Sequence, residues 1–162
     1  FSYGGHAALK LMNDLEFGDE RKWAGIVSLE PPCNIFHEPR NFITPILVLK
    51  GGESHYEPKP CKTMIDLYAS AGADASLKIF PKSNHFFSHN GKIVKGVAFN
   101  GCGDNPVVIG ITNSLKFLDG SQANPKIVRK KCFTKTAGSG KSREDLKLAI
   151  NASIEFFKSK LN

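Results

Sequence analysis

Two side chains in this sequence, a serine and a histidine, have the types and settings needed for nucleophilic catalysis. Ser2 begins the run Ser-Tyr-Gly-Gly, directly before apolar residues at helical spacing. His85 lies in a loop that follows a predicted strand. A serine hydroxyl becomes an effective nucleophile when an imidazole within hydrogen-bonding distance accepts its proton. The pair predicts acyl transfer through Ser2, provided that the fold brings the two side chains together.

The residues after Ser2 predict a tight turn into a helix. Gly4 would let the backbone pass close behind the serine, and Gly5 would let the helix pack closely on a sheet. Apolar residues from Ala7 to Leu15 fall on one helical face. The N-terminus of this helix would favour negative charge that develops at the serine.

Strands and a helix alternate in the first half of the chain. Short apolar runs predict strands, and a periodic run that starts at Lys59 or Pro60 and ends at Ala71 predicts the helix. The alternation favours parallel βαβ units, with His85 beyond the end of the third strand. The predicted strands are Trp23–Leu29, Pro45–Lys50 and Ser76–Phe80.

Residues 88–141 interrupt this alternation, and a helix closes the chain. We expect one domain: a core of residues 1–87, an irregular β excursion of residues 88–141, and a closing helix of residues 142–161. Residues 33–44 are predicted to be a loop. The predicted strands of the excursion are Ile93–Phe99, Val107–Thr112 and Ile127–Phe133.

The serine segment resembles the second half of the G-x-S-x-G motif of α/β-hydrolases, which holds a serine on a sharp strand-to-helix turn. Three further segments are similar to the dienelactone hydrolase family: the strand at 45–51 with Pro58 and Cys61 behind it, residues 80–87, and the end of the final helix. The resemblance covers residues 1 to about 90 and 142–162. It implies an α/β fold, the C-terminal portion of an α/β-hydrolase, within a longer protein.

The resemblance assigns roles to individual residues. Ser2 matches the nucleophile, His85 matches the general base, and the backbone N–H of Tyr3 matches one oxyanion donor. The second donor would come from an earlier loop that this chain lacks. The family implies hydrolysis of a small-molecule ester or lactone through an acyl-enzyme, with no metal and no organic cofactor.

The sequence departs from the family at the third catalytic residue, the acidic side chain that pairs with the histidine. The family aspartate aligns with Ser54, whose neutral hydroxyl cannot stabilise an imidazolium as a carboxylate does. Glu53 is adjacent and has one more methylene of reach, so we expect it to serve as the acid. Glu57 is a weaker candidate.

This departure leaves two other functions open. One is a catalytically impaired hydrolase-fold protein that binds a ligand, since the acid position holds Ser54. The other is a peptidase of the same superfamily. Hydrolysis of an ester that depends on Ser2 would argue against the first alternative, and cleavage of an amide would favour the second.

The composition indicates a globular protein that does not bind nucleic acid. Hydrophobic residues make up 41% of the chain and charged residues 23%, typical of a folded domain. The net charge is +7, but the lysines are spread along the sequence. The densest basic run is at 129–131, without interleaved aromatic residues. No apolar run reaches the ~20 residues that span a bilayer. The oligomeric state is left open.

The four cysteines allow two disulfides or four free thiols, and their spacing alone does not decide between them. The resemblance favours disulfides. It places Cys33 and Cys61 beyond the same edge of a parallel sheet, so that they could form one bond. A bond between Cys102 and Cys132 would then close the excursion. Two disulfides would indicate a secreted or periplasmic protein.

Overall fold

The computed structural model describes residues 1–12, 23–85, 94–99, 102–139 and 143–161. The described residues form four helices and eight strands. The helices are α1 (Tyr3–Lys10), α2 (Pro58–Ser70), α3 (Pro125–Cys132) and α4 (Arg143–Leu161). The strands are β1 (Ile26–Leu29), β2 (Ile35–His37), β3 (Ile46–Gly51), β4 (Ala75–Phe80), β5 (Val94–Phe99), β6 (Val107–Ile109), β7 (Leu115–Phe117) and β8 (Phe133–Ser139).

A parallel sheet of β1, β3 and β4 forms the centre of the fold, with β3 in the middle. Every residue of β3 is buried, as expected for a parallel strand covered on both faces. Alternate side chains of β3 therefore contribute to different cores. Ile46 and Val48 pack with residues of α1 and α2, whereas Leu47 and Leu49 pack with residues of α4. The expected α/β arrangement of parallel strands flanked by helices is confirmed.

The elements predicted in the first half of the chain are present, with shifted ends. The strand predicted from Trp23 begins at Ile26, and the helix predicted from Lys59 or Pro60 begins at Pro58. The helix after Ser2 is described from Tyr3 to Lys10. The helix ends at Lys10, earlier than predicted, and Leu11 and Met12 form a turn; residues 13–15 of the predicted helix lie outside the described residues.

The excursion differs from its prediction at three elements, which are β7, α3 and β8. The strand predicted at Ile127–Phe133 is wrong, because Pro125–Cys132 is helix α3. The Asn124 side chain accepts a hydrogen bond from the Ile127 N–H, and Pro125 occupies the first turn, two strong helix-start signals. Strand β8 follows directly and pairs antiparallel with β5.

A second small sheet joins the excursion to an earlier part of the chain. β2 pairs in parallel with β6, and β6 pairs antiparallel with β7. β2 lies within residues 33–44, which were expected to form a loop. Its partner β6 supplies the long-range pairing that no local pattern indicates.

Both disulfides implied by the resemblance are confirmed. Cys33 is bonded to Cys61, and Cys102 is bonded to Cys132. The first bond ties the segment after β1 to the first turn of α2. The second ties the turn before β6 to the end of α3. Within the described part of the chain, no helix is long and apolar enough to cross a bilayer.

Candidate functional site

The carboxyl ends of the three parallel strands bring polar side chains to one edge of the central sheet. Glu30 follows β1 directly, Lys50 lies near the end of β3, and His85 lies five residues beyond the end of β4. The pairing of Leu29 with Leu49 places Glu30 beside Lys50, and the Glu30 N–H donates to the Leu49 carbonyl at 2.8 Å. This edge is where ligand sites of parallel α/β sheets form.

Ser2 lies on a tight turn at the same edge. Its φ of 55° and ψ of −127° are unusual for a residue with a side chain. The turn is held by the Ser2 N–H, which donates to the Leu29 carbonyl at 2.8 Å, and by the Ser2 carbonyl, which accepts from the His6 N–H at 3.0 Å. Helix α1 begins at the next residue. The hydroxyl is therefore presented at the tip of a bend.

Gly5 allows this turn to lie close to β1. A Cβ at Gly5 would lie 2.7 Å from the Ser28 hydroxyl and 2.9 Å from the Leu29 carbonyl, closer than real Cβ contacts. The expected close packing of helix on sheet at Gly5 is thus observed. A Cβ at Gly4 would meet no atom of the described residues within 4 Å, so the close approach expected there is not found in that part of the chain.

A hydrogen-bonded chain connects the serine, the histidine and a glutamate. The Ser2 Oγ lies 3.1 Å from the Nε2 of His85, and the Nδ1 of His85 lies 3.1 Å from the Oε2 of Glu30. When Nδ1 carries the ring proton and donates it to Glu30, Nε2 is left to accept a hydrogen bond from the serine. Glu30 and His85 are almost completely buried, whereas Ser2 is half-buried.

Glu30 is held by donors from four residues. Its Oε2 accepts from the Lys50 Nζ at 3.0 Å, from the Ser54 hydroxyl at 2.7 Å and from His85. Its Oε1 accepts from the Gly51 N–H. Burial alone would raise the pKa of the Glu30 carboxyl, but the Lys50 charge and these hydrogen bonds outweigh burial and lower it. The carboxyl is therefore ionised at neutral pH.

Aromatic rings surround the buried histidine. The centroid of the Tyr56 ring lies 4.5 Å from that of His85, and the His55 ring lies 4.4 Å from it. The centroid of the Phe1 ring, which is itself exposed, lies 5.4 Å from that of His85. The Tyr56 hydroxyl interacts with the hydroxyls of Tyr3 and Ser2, and burial is the main cause that raises the pKa of Tyr56. The Tyr56 phenol is therefore protonated at neutral pH and can donate a hydrogen bond.

Two glycines let the histidine loop pass over the end of β3. A Cβ on Gly51 would lie 2.5 Å from the Ser83 carbonyl oxygen, and one on Gly52 would lie 2.6 Å from the Pro81 carbonyl oxygen. The Gly52 N–H also donates to the Phe80 carbonyl at 2.9 Å. This contact fixes the loop that carries His85.

The structure places the sequence-predicted residues as follows. Ser2 and His85 come together, and the Tyr3 N–H lies in the first turn of α1, where backbone N–H groups have no partner within the helix.

The expectation that Glu53 supplies the acid is corrected, because the carboxylate at His85 belongs to Glu30. The side chain of Glu53 is exposed, and its N–H donates to the Ser83 carbonyl at 2.8 Å. Glu57 is exposed and precedes α2.

Sequence reasoning missed Glu30, Lys50 and Tyr56. The signal for Glu30 was its place directly after a buried strand, since the carboxyl ends of parallel strands share one edge. Ser54, where the family aspartate aligns, donates to Glu30 and accepts from the Tyr56 N–H at 3.1 Å. Nothing in the local sequence indicated that Lys50 would be buried.

The described residues contain no group of three or more His, Cys, Asp and Glu side chains placed to hold a metal ion. What the arrangement offers is a serine hydroxyl, an imidazole, and a carboxylate in series, next to a helix N-terminus. Comparison of the chain with family models, curated proteins and solved structures finds no match.

Proposed function

We propose that this chain carries the catalytic residues of a serine-dependent hydrolase of the α/β-hydrolase type, which cleaves a carboxylic ester or lactone. The observation that carries the proposal is the hydrogen-bonded series from the Ser2 Oγ through His85 to Glu30, with both distances at 3.1 Å. Nucleophile, base and orienting carboxylate in this order are the functional parts of a catalytic triad, whatever the fold.

In the proposed mechanism, His85 accepts the proton of Ser2 while the serine oxygen attacks the ester carbonyl. The Tyr3 N–H and the N-terminus of α1 stabilise the oxyanion, and one such donor is typically worth about 3 kcal/mol. The protonated imidazole, paired with Glu30, then donates its proton to the alcohol that leaves. Water attacks the acyl-enzyme with the same base, and Ser2 is regenerated.

Glu30 takes the role that was expected of Glu53. It supplies the negative charge that stabilises the imidazolium and holds the Nδ1–H tautomer. The alternative of an impaired binding protein rested on the neutral Ser54 at the aligned acid position. A carboxylate already bonded to His85 removes that support, so hydrolysis is the better proposal.

We also propose that the protein functions in an oxidising compartment, secreted or periplasmic. The support is the pair of disulfides, because such bonds persist mainly outside reducing compartments.

The proposed activity can be tested with p-nitrophenyl acetate and butyrate on the intact protein. We expect hydrolysis that Ser2→Ala reduces by about 10⁴-fold or more, since loss of the nucleophile leaves only binding and oxyanion stabilisation. An active-site-directed fluorophosphonate should label the wild-type protein and spare Ser2→Ala.

The matched control is Ser54→Ala at a serine that donates to Glu30 but is not attacked, which should still be labelled. A p-nitroanilide substrate measured in parallel distinguishes an esterase from a peptidase. Hydrolysis that is unchanged in Ser2→Ala would contradict the proposal, as would the absence of hydrolysis and of labelling in the folded wild-type protein.

A further inference from the structure

Lys50 is a buried basic residue that takes no direct part in the proposed proton transfers between the serine and the histidine. Its side chain has no exposed area, and its ammonium group donates to the Glu30 Oε2 at 3.0 Å and to the Pro31 carbonyl at 3.2 Å. The Tyr56 ring lies under the ammonium, with its centroid 5.4 Å from the Nζ. Lys50 is therefore bonded to the same carboxylate oxygen that faces His85.

The position of Lys50 makes its charge unfavourable: burial lowers the pKa of its ammonium group, and the charge and hydrogen bond of Glu30 oppose that effect. It belongs to β3, where residues 46–49 are apolar and buried. Burial of an ammonium group costs several kcal/mol unless a partner compensates it. A buried ion pair is often no more stable than an apolar pair of similar volume. Stability alone therefore gives little reason for a lysine here, and its contact with Glu30 suggests a role at the site.

We propose that Lys50 is a positioning residue that keeps the Glu30 carboxylate ionised and oriented toward His85. Its effect on the reaction rate rests on the proposed hydrolase function. Among the described residues, the side chains bonded to Glu30 are Lys50 from β3, Ser54 from the loop after β3, and His85 from the loop after β4, with His55 and Tyr56 packed against His85. Of these, Lys50 compensates the negative charge in the resting site.

Without Lys50, the burial of Glu30 would no longer be offset by a positive charge. The pKa of Glu30 would then rise above its value in the unfolded chain. A carboxyl whose folded-state pKa is raised stabilises the fold below its unfolded pKa and loses that contribution as the pH rises through the folded pKa. The stability deficit of a Lys50 variant should therefore grow with pH.

The first experiment measures the thermal midpoint of Lys50→Met against wild type at pH 5 and pH 7. We expect a loss of about 10 °C or more at pH 7, because the buried Glu30 carboxyl must then either stay ionised without its partner or take up a proton. At pH 5 the loss should be less than about half as large. Lys62→Met is the control, because Lys62 is an exposed partner of Asp66 and should shift Tm little at either pH.

The double variant Glu30→Gln/Lys50→Met keeps this test decisive if the single variant does not fold at pH 7. It has neither buried charge, so we expect its Tm at pH 7 to lie above that of Lys50→Met and to recover about half or more of the loss. A deficit in Lys50→Met that is equal at both pH values, together with a double variant no more stable than the single one, would overturn the proposal.

The second experiment follows ester hydrolysis, with the rate of Ser2→Ala subtracted at each pH. We expect kcat of Lys50→Met to fall by about 10²-fold or more at pH 6 and to approach wild type as the pH rises and Glu30 ionises, with KM little changed. Activity and stability would then move in opposite directions with pH, which a purely structural role for Lys50 does not predict.

The two experiments separate the two proposals. If wild-type protein shows no hydrolysis that depends on Ser2, the proposed function fails, and the Tm comparison still decides whether Lys50 keeps Glu30 ionised. If the wild type hydrolyses the ester and Lys50→Met has the same kcat at pH 6 as the wild type, the proposed function stands and the positioning role of Lys50 is overturned.

Discussion

At the scale of single residues, Glu30 connects the fold to the candidate chemistry. Its φ is positive, at 52°, which is uncommon for a residue with a side chain, and Pro31 and Pro32 follow it. The left-handed conformation turns the chain sharply at the end of β1. The cost of this conformation is offset by the hydrogen bonds that the carboxylate accepts.

Replacement of Glu30 tests the assignment of the acid. We expect Glu30→Gln to reduce kcat by about 10³- to 10⁴-fold, because an amide cannot stabilise the imidazolium and allows the wrong tautomer of His85. Glu53→Gln should change kcat less than about twofold, since its side chain is exposed. The measurement is steady-state hydrolysis of p-nitrophenyl butyrate by both variants.

A rescue variant sharpens this comparison. The Ser54 Oγ lies 2.7 Å from the Glu30 Oε2, which itself lies 3.1 Å from the His85 Nδ1. Glu30→Gln/Ser54→Asp moves the carboxylate to the position that the resemblance assigns to the acid, and we expect it to recover part of the lost rate. Equal losses in Glu30→Gln and Glu53→Gln would show that Glu30 is not the acid.

Local sequence patterns predicted two of the site residues, whereas the others were identified only from their contacts in the folded structure. Ser2 and His85 were recognisable because a serine before two glycines and a histidine after a strand are local patterns. Glu30 and Lys50 are 20 residues apart in sequence and meet only through the parallel pairing of β1 with β3. Nothing local distinguishes Glu30 from an ordinary strand-ending residue.

At the scale of elements, prediction succeeded where one pattern dominated. β3 and α2 were predictable because a continuous apolar run and an amphipathic run are each typical of one structure. The strand prediction for residues 127–133 is wrong because the apolar residues there outweighed Asn124 and Pro125, which are helix-start signals. β2 and β7 have three residues each and depend on pairing with β6, so local sequence carries too little information to predict them.

The two disulfides can be removed separately, and the two resulting double variants can be compared in stability and activity. Their sequence separations are 28 and 30 residues, so loss of either should cost a similar free energy of unfolding, about 3–4 kcal/mol. Cys33 lies three residues after Glu30, whereas Cys102 and Cys132 lie in the excursion. We expect Cys33→Ala/Cys61→Ala to lower kcat at least about tenfold, and Cys102→Ala/Cys132→Ala to leave it within about twofold.

Urea unfolding of the two double variants measures the stability loss, and ester hydrolysis at a temperature where both remain folded measures kcat. An equal decrease in kcat for both would mean that the loss of activity follows from stability in general. In that case the bond between Cys33 and Cys61 would not specifically support the Glu30 segment.

At the scale of the whole molecule, the charge balance determines how the protein responds to acid. The net charge is +7 at neutral pH, and protonation of the carboxylates raises it further, which increases self-repulsion. Glu30 adds a specific contribution because its folded-state pKa is lowered. Such a carboxyl stabilises the fold above its unfolded pKa of about 4.3 and loses that contribution as the pH falls through its folded pKa.

The difference in free energy of unfolding between wild type and Glu30→Gln isolates this contribution from the general repulsion. At pH 7 we expect the variant to be less stable by about 3–5 kcal/mol, since Lys50 is left buried without its anion. Below about pH 4 the difference should shrink, because the unfolded wild-type chain then takes up a proton at Glu30, whereas the buried carboxylate does so only at lower pH. Urea denaturation from pH 7 to pH 3, followed by Trp23 fluorescence, measures both curves, with Glu53→Gln as the exposed-carboxylate control. A difference that stays constant over this range would mean that Glu30 does not carry a buried charge, and both the proposed acid and the role of Lys50 would then lose their physical basis.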